Sequence, residues 1–119
     1  MGSQPQFIDG EGREMSSFKN ISVAELQPLL EAGKVKLIDV RTTDEVARGF
    51  IKGADKLPLH LLSLHIQELD VKVPTVFYCQ MGGRSAQAAA FAASKGMEDV
   101  YNLQGGITAW AQFGGEITI

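Results

Sequence analysis

One cysteine, one tryptophan and two histidines are all that this chain of 119 residues carries of the side chains that most often staple, anchor or ligate. A single thiol forms no intramolecular disulfide, so the fold must hold without staples, and a reducing, cytoplasmic setting is expected. No Cys/His cluster has metal-ligand spacing. His60 and His65 lie five apart, off a common helical face, and read as two partly exposed histidines. No apolar run approaches the roughly 18 residues of a membrane span, and the N-terminus lacks the basic-then-apolar layout of a secretory signal. The net charge is −3, scattered rather than blocked. It leaves no footprint for nucleic acid or for an anionic membrane.

What is present suits one domain around one core. Hydrophobic residues make up 45% and charged residues 21%, ordinary values for a globular chain of this length. Residues 1–16 show no period and mix Gly, Gln, Pro and acidic residues. They read as a disordered tail or a scar of cloning, with Met15 a candidate native start, and the domain is expected over 17–119.

From Ser17 the punctuation is regular. Ser22 with Glu25 forms a capping box opening a helix that Gly33 closes, and Thr42 with Glu45 forms a second box for a short helix that Gly49 stops. "VKLIDV", "TVFYC" and "DVYNL" are short apolar runs of strand length, and a further short strand is expected near Lys56 and Leu57. "LHLLSLHIQEL" reads as a helix with Leu61, Leu62 and Leu64 on a buried face. "RSAQAAAFAASKG" is a strong helix former, and "GGITAWAQFG" a last helix with Trp110 in the core. Strands alternating with helices predict an α/β fold with a mainly parallel sheet and helices on both faces. In such sheets ligands bind beyond the carboxyl ends of the strands. Cys79 ends one predicted strand, and Asp39 and Arg41 end another.

The lone cysteine heads the stretch "YCQMGGRSAQAAAF". Strand, Cys79, Gln80, Met81, Gly82, Gly83, Arg84, Ser85 and helix follow in that order. The first amides of a helix lack intrahelical partners, and the helix dipole favours an anion there. A thiolate so placed has a lowered pKa and is the reactive form of cysteine. Gly82 and Gly83 let several amides converge by taking φ values that other residues resist. Arg84 brings a donor fork suited to an oxyanion, Ser85 a hydroxyl, and Met81 a side chain at the pocket mouth. The plainer reading makes Cys79 a small buried residue, the glycines a tight turn, Arg84 a surface charge and Ser85 a cap. It explains each residue but not their coincidence.

"CQMGGRS" resembles the active-site loop of the rhodanese superfamily. Two further segments agree. "LIDVRTTDEVARGFIKGADKLPL" is similar to the family's upstream signature at Asp39, Val40, Arg41, Glu45, Gly49, Ile51, Gly53 and Ala54. "NLQGGITAW" is similar to its closing signature at Leu103, Gly105, Gly106, Ala109 and Trp110. The likeness runs from about Ser17 to Phe113. Phe50 stands where the upstream signature has His, which implies a packing change, and Gln80 occupies a position where relatives vary.

The resemblance implies a single rhodanese-like domain and sulfur transfer. Cys79 thiolate would attack the outer sulfur of a donor such as thiosulfate. It would carry that sulfur as a persulfide held by the loop, Gln80 to Ser85, and give it to cyanide in an assay or a thiol in the cell. No metal or organic cofactor is implied, and a sulfur-accepting protein is a further candidate partner. Asp39 and Arg41 would shape the pocket rim or brace the loop, or Arg41 would simply pair with Glu45. Gly105 and Gly106 read as a turn. Two alternatives stand beside this reading. One is a non-catalytic rhodanese-like module used in recognition or regulation, which the retained Cys79 with Arg84 and Ser85 argues against, with a sulfur carrier that works only with a protein partner as a related possibility. The other is a phosphatase, whose loop between Cys and Arg is one residue longer than the four residues here and whose acid has no counterpart in this loop.

Overall fold

The computed structural model describes residues 17–119, so the reading of residues 1–16 lies outside the described residues. Five strands form a parallel sheet in the order β1 (Lys19–Ile21), β6 (Val100–Leu103), β5 (Thr75–Tyr78), β2 (Lys36–Asp39) and β4 (Asp55–Lys56). A second, antiparallel pair joins β3 (Phe50–Ile51) to β7 (Ile117–Thr118). The helices are α1 (Val23–Glu31), α2 (Thr43–Ala47), α3 (Leu62–His65), α4 (Gly83–Ser94) and α5 (Gly106–Gln112).

Strand alternation divides the core into two layers. Ile38, Val40, Phe77, Cys79 and Val100 face Leu62, Ile66 and the alanine face of α4. Leu37, Val76, Tyr78 and Leu103 face Val23, Leu26, Ile107 and Trp110. Helices therefore cover both faces of the sheet. Each fully buried large side chain stabilises the fold by roughly 1.5–3 kcal/mol, and β5, with all four residues buried, is the central strand on which both layers rest. Ala88, Ala89 and Ala92 are wholly buried. Their small size brings α4 close to the sheet and sets its first turn directly above the end of β5.

Both capping boxes form as the sequence predicts: Ser22 and Thr42 accept from the amides of Glu25 and Glu45, whose carboxylates return the bond. Several expectations change. The segment from Leu59 to Glu68 is not one helix but a single α turn, α3, flanked by 3-10 turns. Leu62 and Ile66 point inward, whereas Leu64 is 73% exposed and belongs to no buried face. Phe50, the departure from the upstream signature, sits in β3 with the Lys56 ammonium 4.2 Å over its ring. Among the described residues no helix is long and apolar enough to cross a membrane.

Candidate active site

Strand β5 ends at Tyr78, and Cys79 follows it beneath the first turn of α4. The thiol is 1% exposed. Its Sγ accepts from the amides of Gly82 at 3.1 Å and Ser85 at 3.3 Å, and lies 3.3 Å from the Ser85 hydroxyl. Gly82 is the N-cap of α4 and offers no side chain to the helix's unpaired amides, so the sulfur stands where a capping oxygen would. Burial pushes the Cys79 thiol up. The Ser85 hydroxyl and the amides of Ser85, Gly82 and Met81 more than reverse that, and the thiol lies below its ordinary value.

The two loop glycines are not equivalent, contrary to the sequence-based expectation. Gly82 has φ +111°, in the left-handed region. Gly83 takes no positive φ, begins α4, and a methyl added to it would meet nothing within 4 Å. The closest packing comes instead from Gly106, read from the sequence as part of a turn. With φ +58° it presses on the loop so tightly that a methyl there would collide with the carbonyl oxygens of Cys79 and Gln80. That approach lets the Ile107 amide donate to the Cys79 carbonyl at 3.0 Å and the Thr108 amide to the Gln80 carbonyl at 3.2 Å.

Side chains around the loop are paired off. Arg84 does not present an open fork: its Nη1 and Nη2 donate to the two carboxylate oxygens of Glu45 at 2.7 and 2.9 Å, tying α4 to α2. Hydrogen bonding from Arg84 lowers the Glu45 carboxyl to about 2, against a smaller upward push from burial. Arg41 therefore does not take the Glu45 carboxylate. It is buried beside Asp39, donating to that carboxylate from Nε at 3.0 Å and Nη2 at 2.8 Å, and to the Gly49 carbonyl at 2.7 Å. Its Nη1 also donates to the Gln80 Oε1 at 3.3 Å, while Gln80 Nε2 donates to Thr108 Oγ1 at 3.1 Å. Gln80 is thus turned sideways, away from the sulfur. Asp39 and Arg41 underlie the loop, and Arg41 with Gln80 and Thr108 also walls an adjoining cleft of about 660 Å³. Met81 is outside that lining and 66% exposed. Behind Ser85, Asn102 of β6 completes the site, a residue the sequence did not single out. Among the described residues no cluster of three or more His, Cys, Asp or Glu side chains could hold a metal ion.

The arrangement can hold an anion on sulfur with uncharged donors while both neighbouring arginines are neutralised by carboxylates. The chain is similar to known proteins over most of its length. The family model for the Rhodanese-like domain matches residues 22–113. A protein named Sulfurtransferase from Allochromatium vinosum is 42% identical over 88 residues, 74% of this chain and 82% of that one. The thiosulfate sulfurtransferase GlpE of Shewanella oneidensis is 38% identical over 96 residues, 81% of this chain and 95% of its own. Among solved structures, a protein of unknown function from Rhodopseudomonas palustris, described as a possible tyrosine phosphatase, aligns with a TM-score of 0.77 at 30% identity over 85% of each chain.

Two outcomes follow from the geometry. Gly83→Ala is expected to leave stability unchanged or raise it by up to about 1 kcal/mol. Gly82→Ala forces an L residue into left-handed backbone and is expected to cost roughly 1–2 kcal/mol. Urea unfolding of the two variants checks the contrast, and equal costs would contradict it. Separately, the Glu45 carboxyl, followed by NMR, is expected to titrate at about 2 and to return toward 4.5 in Arg84→Ala. Because the folded value is depressed, the stability this pair supplies is complete above about 4.5 and is lost as pH falls toward about 2.

Proposed function

The chain belongs to the rhodanese-like domain family, and we propose that it works as a sulfurtransferase through a persulfide on Cys79. One observation carries this reading: Sγ sits at the N-terminus of α4, within hydrogen-bond reach of two amides and a hydroxyl. Thiosulfate is the donor proposed, in keeping with the Shewanella relative's name.

In the first step the Cys79 thiolate attacks the outer sulfur of thiosulfate. A Cys79 S–S bond forms, the donor's S–S bond breaks, and sulfite leaves with the bonding pair. The product, Cys79–S–S⁻, keeps the single negative charge that the thiolate had. In the second step a thiophilic acceptor, cyanide in an assay or a thiol in the cell, attacks the outer sulfur and the thiolate is regenerated. With cyanide the product is thiocyanate. The cycle is ping-pong and balances without oxidant, reductant, metal or organic cofactor. The loop amides and the Ser85 hydroxyl stabilise the anion in the resting thiolate and the charge as it moves outward during attack.

Arg84 takes a different part from the one its sequence position suggests. With its fork filled by Glu45, it fixes α2 against α4 rather than gripping donor oxygens directly. Gln80, held between Arg41 and Thr108, keeps the loop backbone in place and walls the adjoining cleft.

Phosphate-ester hydrolysis is the rival reading, because the Rhodopseudomonas structure is described as a possible tyrosine phosphatase. Four residues lie between Cys79 and Arg84. Gly82 and Ser85 already direct their amides at the sulfur, and the Arg84 fork is filled, which leaves a poor cradle for a tetrahedral phosphoryl group. No acid in the loop stands ready to protonate a leaving oxygen.

Intact mass spectrometry tests the reading. Thiosulfate is expected to add one sulfur atom to the chain, none to Cys79→Ser, and cyanide to remove it as thiocyanate. An aryl phosphate is expected to show no Cys79-dependent turnover. A mass unchanged by thiosulfate, polysulfide and mercaptopyruvate would make the domain a binding module, and phosphate release lost in Cys79→Ser would make it a phosphatase.

A further inference from the structure

The Ser85 hydroxyl is within reach of two partners but has one proton to give. It lies 3.3 Å from Cys79 Sγ and donates to Asn102 Oδ1 at 2.5 Å. Asn102 Nδ2 in turn donates to Asn20 Oδ1 at 3.1 Å. Asn20 and Asn102 are register partners on the adjacent parallel strands β1 and β6. Asn102 is buried and Asn20 is exposed at the sheet edge. Four side chains therefore form one line of hydrogen bonds from the sulfur to solvent.

A line of hydroxyl and carboxamide groups has two directions. In the direction described, Ser85 spends its proton on Asn102 and turns a lone pair to the sulfur, which suits a neutral thiol donating its own proton. A thiolate or persulfide needs the reverse: Ser85 donates to sulfur, the Asn102 carboxamide turns over so that Nδ2 donates to Ser85 Oγ, and its Oδ1 faces Asn20. Without that turn, Ser85 Oγ and Asn102 Oδ1 would face each other with no proton between them, which a buried site tolerates poorly. Asn20 can follow, because its exposed carboxamide is free to rotate and to donate from its own Nδ2.

We propose that Asn102 and Asn20 are positioning residues which set the direction of the Ser85 hydroxyl, and so couple the charge on the Cys79 sulfur to a carboxamide at the sheet edge. This deepens the reading of Cys79 as a working thiolate. The test below reads the proton on sulfur rather than sulfur transfer, so the two stand or fall separately. The charged groups around the sulfur are Arg84 on α4, with Glu45 of α2 bound to it, and the Asp39–Arg41 pair at the end of β2. Strand β6 faces it with neutral Asn102, α5 meets the loop through the backbone of Ile107 and Thr108, and α3 presents Leu62. None of these is altered in the decisive comparison.

That comparison is Asn20→Asp against Asn20→Ala, both at an exposed site. An aspartate accepts only, so it holds Asn102 Nδ2 toward residue 20 and Oδ1 toward Ser85, the direction that suits the thiol. Alanine leaves Asn102 free to turn. The pH dependence of iodoacetamide labelling of Cys79 is measured for both in about 1 M salt, where the screening length is about 3 Å. Asn20→Asp is expected to have the higher inflection, by a roughly two- to tenfold change in the acid dissociation constant. In a Ser85→Ala background the two should label alike. Equal inflections with Ser85 present would overturn the proposal. So would a difference that persists undiminished in Ser85→Ala, since it would then act through space rather than through the hydroxyl.

Discussion

Two hydrogen bonds that do not touch the sulfur decide what the sulfur is. The first amides of α5, from Ile107 and Thr108, take up the carbonyls of Cys79 and Gln80. A peptide carbonyl pinned on one side turns the adjoining backbone toward the other, and that side is where the loop enters α4 and its amides meet Sγ. Gly106 makes this possible, since any side chain there would drive α5 off the loop. The closing signature is therefore part of the site through the backbone of α5 as well as through the Asn102 side chain behind Ser85. Trp110 anchors the same helix from below: it is 5% exposed and its indole donates to the Glu116 carbonyl at 2.9 Å.

The electrostatic design follows from that placement. A buried thiol is ordinarily harder to ionise, because a low-dielectric surrounding opposes the charge. Here the opposition is met by nearby neutral donors, while the two arginines close to the loop are each held by a carboxylate, Arg41 by Asp39 and Arg84 by Glu45. Fixed dipoles need no reorganisation when charge moves from one sulfur to the next, and they do not hold a leaving anion as a free guanidinium would. The ion pairs do structural work instead. Arg41 joins the end of β2 to the Gly49 carbonyl and the Gln80 side chain, and Arg84 ties α4 to α2. Removing one partner of the buried Asp39–Arg41 pair would strand a charge, a change that commonly costs about 3–5 kcal/mol.

Local patterns carried much of this into the sequence. Both capping boxes, the three longest strands and the alanine-rich helix follow from spacing and residue type, and with them the parallel sheet and the cysteine beneath a helix N-terminus. What stayed hidden was of two kinds. Strands β1, β3 and β7 are two or three residues long, too short for alternation to register. The pairings around the loop join residues far apart in sequence. Glu45 could have served Arg41, four residues before it, or Arg84, and only the packing of α2 on α4 assigns it to Arg84. Gly106 looks like any turn glycine until α5 is seen against the loop. Asn102 sits in a short apolar strand, and nothing in "DVYNL" tells which face it takes or that Asn20 will lie beside it.

The account stands on one physical claim, that the fold holds the Cys79 sulfur as an anion more readily than water does. Thiolate absorbance in the ultraviolet, titrated with pH on the native protein and again in denaturant, measures this directly, because Cys79 is the only thiol in the chain. The native inflection is expected below the denatured one, which lies near 8.5. Ionisation then stabilises the fold above the denatured value, and that contribution is lost as pH falls through the native one. A native inflection at or above the denatured value would mean that burial outweighs the donors, and that Cys79 is a structural residue rather than a carrier of sulfur.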